Sequence, residues 1–285
     1  MMGTARYEGL LSEAPIKLST CRYLSGTVDP STHASEAFRP LPLPIMQFPW
    51  TESEGRDGVH AAVKHYWSAR ASQGASQGES SRRVEGTRGE VLGGQHLNGF
   101  SGLLIEVIRA AGFRDEHIRQ GVNVDLPGYY RATKKWDIVV ARGGKLCAAI
   151  EMKSQVGPSF GNNFNNRSEE AIGSSHDFWV AYREGALGTQ RPWLGYFLLV
   201  EEHPKSTSTV KLANAVFEPM PAFHKTSYID RYAILCQRLV LERNYSSAAF
   251  LTAPRADSGA FTEPDSTLGF FPFARSLFGH LVGVA

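Results

Sequence analysis

Two short apolar runs, WDIVVA over Trp136–Ala141 and LCAAIEM over Leu146–Met152, flank the polar stretch Arg142-Gly143-Gly144-Lys145. Apolar, partly β-branched runs on either side of a Gly-Gly dipeptide predict a β-hairpin. Successive side chains on a strand alternate faces, so Glu151 and Lys153 share one face. A two-residue Gly143-Gly144 loop pairs residues whose numbers sum to 287, which sets Asp137 opposite Ile150. One extra loop residue or a bulge raises the sum to 288 and sets Asp137 opposite Glu151. Cross-strand neighbours have Cβ atoms about 5 Å apart, so both carboxylates then reach a single cation.

Asp137, Glu151 and Lys153 are the residue types that hold Mg²⁺ against a phosphodiester. Two adjacent carboxylates repel each other in a half-buried site unless a cation separates them. Mg²⁺ takes oxygen ligands, keeps several waters, and is often bound by one or two carboxylates plus substrate phosphate. Bound there, it would polarise the phosphate and lower the pKa of a water. Lys153 beside it would orient the attacking water and stabilise developing charge. A surface hairpin with a Glu/Lys pair matches the same short pattern, so these three residues alone leave both readings open.

Composition narrows the alternatives. With 285 residues the chain can bury one large core, or one core with appendages. Cys21, Cys147 and Cys236 are far apart, odd in number and in no zinc spacing, which argues against a disulfide framework or a Cys-ligated metal. The histidines show no H-E-x-x-H and no paired spacing, so a zinc hydrolase has no support. No apolar run approaches the roughly 20 residues of a membrane span, and the N-terminus lacks a secretory apolar core. The expectation is a cytoplasmic protein without a membrane partner. A net charge of +2 says little, but Arg131, Lys134, Lys135, Arg142 and Lys145 cluster around the hairpin with Asp137 the only acid among them. Such a patch suits phosphates, and equally suits a solvated hairpin surface.

Residues 1–45, with Pro30, Pro40, Pro42 and Pro44 and a second plausible start at Met46, read as a variable N-terminal extension or an over-extended frame; residues 46–285 read as a single domain. Residues 57–71 predict a helix with Val59, Val63, Tyr66, Trp67 and Arg70 near one face. Gly74 to Gly89 reads as a loop. Gln95 to Ala111 predicts a second helix with a stripe from Leu97 to Ala111 and Gly112 as C-cap; His96 lies near that stripe and is expected to pack. Arg167 to Glu184 predicts a third, and Tyr228 to Arg243 a fourth that packs or dimerises. Between them WLGYFLLV at Trp193–Val200 reads as a strand buried on both faces, and Pro272 to Val282 as a last apolar helix. Hairpin, crossover helix, buried strand is a mixed sheet sandwiched by helices, an α/β fold.

Further polar residues stand near the hairpin in sequence. Gln155 continues the Glu151/Lys153 face; its amide suits a phosphate or metal-bound water, and equally a strand end. The run FGNNFNNR supplies Asn162, Asn163, Asn165, Asn166 and Arg167, residue types that read base edges bidentately. The same asparagines suit a tight loop and a helix cap. Arg183 and Arg191 are weaker candidates of the same kind.

The run KKWDIVVARGGKLCAAIEMKSQVGPSFGNNFNNRSEEAIGSSHDFWVAYREGALGTQRPWLGYFLLVEE resembles the XhoI-type restriction endonucleases, a branch of the PD-(D/E)xK nuclease superfamily. GGQHLNGF, LPGYYRATKKWD and RYAILCQRLVLERNYSSAAFLT resemble them too, so the likeness covers about residues 56 to 252. The resemblance implies a restriction-endonuclease-like core with a catalytic hairpin in a mixed β-sheet flanked by helices. It makes Asp137 and Glu151 metal ligands and Lys153 the catalytic lysine, with Trp136 where the superfamily usually has Pro. It also implies that another acidic residue often lies on the helix preceding the hairpin. Glu106 is the candidate, yet at 100° per residue it falls away from the apolar stripe. The implied activity is a type II restriction endonuclease, a homodimer that hydrolyses duplex DNA with Mg²⁺ and leaves 5′-phosphates. The implied site is CTCGAG, cut after the first C to leave a four-base 5′ overhang, with a cognate DNA methyltransferase as genetic partner. The alternatives are a non-specific repair or recombination nuclease of the same superfamily, and a cleavage-inactive DNA-binding protein.

Overall fold

The hairpin is the seed of a five-stranded mixed sheet. In the computed structural model, which describes residues 46–78, 96–212 and 216–285, the main strands are β1 (Ile118–Gln120), β4 (Ile138–Arg142), β5 (Lys145–Gln155), β6 (Trp193–Glu202) and β7 (Ser247–Pro254), in the order β1-β4-β5-β6-β7. The pairs β1/β4 and β4/β5 are antiparallel, and β5/β6 and β6/β7 are parallel. Two further strands, β2 (Asp125–Pro127) and β3 (Thr133–Lys135), form a separate hairpin immediately ahead of β4. Both parallel pairs need crossovers, supplied by α3 (Phe160–Arg183) and α4 (Tyr228–Leu241). The remaining long helices are α1 (Glu52–Gly78), α2 (Asn98–Ala110) and α5 (Phe270–Val284). The predicted extension at 1–45 lies outside the described residues.

Strand alternation divides the interior into two cores. Ile138, Val140, Ile150 and Met152 point to one face, against Val63, Phe100, Leu104 and Phe273 from α1, α2 and α5. Val139 and Ala149 point to the other, against Ala171, Phe178, Tyr232 and Leu239 from α3 and α4. With helices on both faces, β6 is buried along nine of its ten residues, as its unbroken apolar sequence predicts. Burying an aromatic such as Phe273 stabilises the fold by roughly 1.5–3 kcal/mol, and truncating it to Ala would cost about 3–5 kcal/mol.

Helices α1 and α3 begin more than a turn ahead of where their periodicity predicts. Helix α1 starts at Glu52 because Thr51 and Glu54 form a capping box: Glu54 N donates to Thr51 Oγ1 at 3.3 Å, and Thr51 N to Glu54 Oε2 at 2.8 Å. The helix also runs on through Gly78, so the first residues of the predicted Gly74–Gly89 loop are helical; residues 79–95 lie outside the described set. Helix α3 starts at Phe160, not Arg167, which makes the asparagine run helical. Asn and Gly are poor helix formers, and tertiary packing overrides them. Phe160 stacks on Tyr228 at 6.3 Å, and Phe164, one turn on, meets Tyr232 edge-on at 5.1 Å.

Candidate active site

The β4–β5 hairpin turns at Gly143 and Gly144, both with positive φ (59° and 72°), the pairing of backbone angles a type I′ turn requires. Next to the turn Arg142 pairs with Lys145 and Ala141 with Leu146. Beyond them the register shifts: Val140 faces Ala148, Val139 faces Ala149 and Ile138 faces Ile150. Cys147 is the extra residue of a β-bulge, which raises the pairing sum from 287 to 288. Asp137 immediately precedes β4, where the ladder ends, and lies close enough to Glu151, Lys153 and Lys134 to feel their charges.

Each carboxylate is held by named donors. Asp137 Oδ2 accepts the Met152 N–H at 2.7 Å, and Asp137 N donates to the Ile150 carbonyl at 3.0 Å. Glu151 is 1% exposed. Its Oε1 lies 3.0 Å from Lys134 Nζ and 3.1 Å from Lys153 Nζ. Its Oε2 accepts the Tyr245 hydroxyl at 2.9 Å. The Tyr245 oxygen is also 3.2 Å from the Ala171 carbonyl, but a phenol has one proton and the carboxylate is the stronger acceptor. The Lys134 ammonium rests over the Trp136 ring, 4.3 Å from its centroid.

Electrostatics follow from this arrangement. Burial pushes the Asp137 carboxyl above its ordinary value, and the neighbouring Glu151 adds to that, against the Met152 amide and Lys153. Burial acts the same way on Glu151, but Lys153, Lys134 and the Tyr245 hydroxyl outweigh it and hold Glu151 below its ordinary value. For Lys153, burial favours the neutral amine, and Glu151 and Asp137 outweigh it, so the ammonium is kept. Burial raises the Tyr245 hydroxyl well above the usual phenol range, so it remains a donor. The donor set is one buried and one half-buried carboxylate with no imidazole or thiolate, and among the described residues no group of three or more His, Cys, Asp or Glu side chains gathers. Hard oxygen donors of this number fit Mg²⁺ completed by water and phosphate, and do not fit zinc.

The other sequence candidates distribute unevenly. Lys134 joins the carboxylates. Arg167, on α3, is close enough to Lys153 to act on its charge, while bonding Glu170. Gln155 is buried at the end of β5, where its amide donates to the Val156 carbonyl at 2.6 Å. Glu106 lies in the opposite layer and accepts the Trp50 indole N–H at 3.0 Å, away from Asp137 and Glu151. Asn162, Asn165 and Asn166 are exposed on the first turns of α3 and Asn163 is half-buried there. Arg183 is exposed at the far end of that helix, roughly 20 Å along its axis from the turns at Arg167 to Ala171. Arg191 packs over the Trp179 ring at 4.4 Å. The basic cluster divides: Lys135 is exposed near the site, whereas Arg142 is at the hairpin tip, bonded to the Val284 carbonyl and lying over Phe113. Tyr245 was not among the predicted residues. It lies in the run RYAILCQRLVLERNYSSAAFLT, 94 residues from Glu151, and no local spacing within that run singles it out.

Comparisons with known proteins point to one family. The family model described as "Restriction endonuclease XhoI" matches residues 76–263. The chain is 43% identical over 211 residues to the type II restriction enzyme BstVI of Geobacillus stearothermophilus, covering 71% of this chain and 94% of that protein. It is 45% identical over 183 residues to the type II restriction enzyme XhoI of Xanthomonas vasicola, covering 63% and 73% of the two chains. To the type II restriction enzyme AbrI of Azospirillum brasilense it is 46% identical over 157 residues, covering 54% and 68%. No solved structure matches the chain.

Proposed function

The chain belongs to the family of the restriction endonuclease XhoI, and on that premise we propose that it is a type II restriction endonuclease that hydrolyses both strands of a palindromic DNA site. The observation that carries the proposal is the ion pair of Lys153 with Glu151 on one strand face, with Asp137 beside them at the end of the bulged hairpin. We infer a core of the PD-(D/E)xK superfamily, a reading supported by the order of a helix, an antiparallel β1-β4-β5 unit, a crossover helix and a parallel strand. Asp137 and Glu151 would hold Mg²⁺, which supplies Lewis-acid polarisation of the scissile phosphate and a lowered pKa for the attacking water. Lys153, kept as an ammonium, orients that water and offsets charge on the phosphate oxygens in the transition state. Tyr245 fixes the Glu151 carboxylate through its second oxygen. Lys134 neutralises the same group from the neighbouring hairpin and is placed to meet a phosphate. Arg167, with Asn162, Asn163, Asn165 and Asn166, lies on the helix beside the site and is assigned to DNA contact; Lys135 joins them from β3.

A homodimer would present two such sites with the two-fold symmetry of the duplex. By resemblance the site is CTCGAG, cut to leave a four-base 5′ overhang, with a DNA methyltransferase as genetic partner. Incubating the protein with a sequenced plasmid and Mg²⁺ tests the reading. Discrete fragments whose ends map to CTCGAG support it, and discrete fragments with other ends replace the site while keeping the activity. A smear makes the protein a non-specific nuclease, and binding without cutting in Mg²⁺ or Mn²⁺ makes it an inactive binder.

A further inference from the structure

The loop Gly128–Ala132, which joins β2 to β3, is held unusually firmly for a surface turn. Three donors converge on one carboxylate of α3: the backbone N–H groups of Tyr129 and Tyr130 reach Asp177 Oδ1 at 2.6 and 2.7 Å, and Arg131 Nε reaches Oδ2 at 3.0 Å. Asp177 is 3% exposed, a carboxylate buried for this purpose. The approach is so close that a Cβ on Gly128 would fall 2.4 Å from Asp177 Oδ2 and 2.7 Å from the Arg131 carbonyl. Only glycine fits there.

What the clamp holds out is two aromatic side chains. Tyr129 and Tyr130 are 59% and 67% exposed, 5.4 Å apart and edge-to-face. Tyr130 stacks on the His176 ring at 5.6 Å and 19°, so its ring plane is set as well as its backbone. Exposed aromatic rings cost solvation, and a fixed backbone beneath them reduces the entropy lost when a partner covers them. The same loop leads within two residues to Lys134 on Glu151, and the Arg131 charge is felt at Tyr245. Lys135, exposed on β3, makes no ion pair among the described residues. A duplex that delivers a phosphodiester to Glu151 passes this tip, and its anionic backbone matches Arg131 and Lys135.

We propose that Tyr129 and Tyr130 are a pre-set DNA contact, packing their ring faces against sugars and bases in the groove beside the scissile bond, with Asp177 as the positioning residue. This rests on the restriction-endonuclease reading above. Aromatic contact with nucleic acid is sequence-tolerant, whereas Arg131 and Lys135 meet phosphate; together they position the duplex and leave base reading to other residues.

The test uses the full chain and a duplex of about 24 base pairs spanning a cut mapped on the plasmid, with Ca²⁺ in place of Mg²⁺. The double variant Tyr129→Ala/Tyr130→Ala should bind that duplex at least about tenfold more weakly than wild type, with unchanged melting temperature and sedimentation. Binding within twofold of wild type overturns the inference. So does a variant that dissociates where the wild type is a dimer, since the rings then belong to a second copy of the chain. Should the variant melt early, nitration of the wild-type tyrosines by tetranitromethane decides: protection of Tyr129 and Tyr130 by the duplex upholds the contact, and unchanged reactivity overturns it. A wild type that neither cuts nor binds any plasmid overturns the restriction reading and the inference with it. A wild type that cuts, with a double variant that binds normally, overturns the inference alone.

Discussion

Lys134 and Lys153 place their ammonium groups on the same atom, Oε1 of Glu151, at 3.0 and 3.1 Å. One comes from the small β2–β3 hairpin and the other from β5, two residues beyond Glu151. A divalent cation bound at Glu151 competes with both. Lys134→Ala is therefore expected to tighten Ca²⁺ binding by about tenfold, equivalent to roughly 1.4 kcal/mol, because one of the two competitors for that oxygen is gone. Calorimetric titration with Ca²⁺ in the absence of DNA measures this directly. Unchanged or weaker binding would show that Lys134 does not restrain Glu151.

Tyr245→Phe keeps the ring and removes the hydrogen bond to Glu151 Oε2. A hydrogen bond to a charged group contributes about 1.5–3 kcal/mol when buried. The variant should melt a few degrees lower and cut about tenfold more slowly, while its affinity for the duplex in Ca²⁺ stays unchanged. Cutting at the wild-type rate would remove Tyr245 from the positioning of Glu151.

Asp177 gives the protein a predictable acid sensitivity. Burial acts to raise its carboxyl, but the Tyr130 and Tyr129 amides and Arg131 outweigh it and hold the group below its ordinary value. The folded state therefore favours the ionised form. Its contribution is complete above the ordinary carboxylate range, and is lost as pH falls below about 4 through the lower folded value. Asp177→Asn should melt lower than wild type at neutral pH and show a shallower loss of stability on acidification. Parallel melting curves from about pH 7 to about pH 3 compare the two. Identical acid slopes would mean the clamp carries no linked charge.

Alanine at Asp137, Glu151 or Lys153 is expected to lower cutting by a thousandfold or more, on the order of removing a preorganised electrostatic group. Binding to the mapped duplex in Ca²⁺ should stay detectable for each. Any of the three that still cuts near the wild-type rate plays no part in the chemistry.

Much of this architecture is local and so was legible in the sequence. Glu151 and Lys153 share a face by alternation alone, and the unbroken apolar run of β6 requires helices on both sides. Turn arithmetic left Asp137 opposite either Ile150 or Glu151, because a bulge is chosen by packing that the hairpin sequence does not contain. Cys147 and Ala148 both turn into the core beneath α1, α2 and α5, and that crowding is where the register slips. Other features depend on distant partners. The start of α3 rests on Phe160 and Phe164 meeting Tyr228 and Tyr232, against the preference of the asparagines. Tyr245 reaches Glu151 only once α4 and β7 are in place. The Thr51-x-x-Glu54 cap, by contrast, is a local signature, and it places the beginning of α1 ahead of the first apolar stripe.

The bulge at Cys147 has a consequence for how such a chain can change over time. Cys147 contributes no chemistry, so exchanging it for another small residue should be harmless. Deleting it would leave the register standing as well: with Leu146 joined to Ala148 the ladder becomes regular, and Val140 still faces Ala148, Val139 Ala149 and Ile138 Ile150. The bulge can lose its extra residue without moving the site. Away from it, an insertion or deletion in either strand slips the register by one place and separates the two carboxylates.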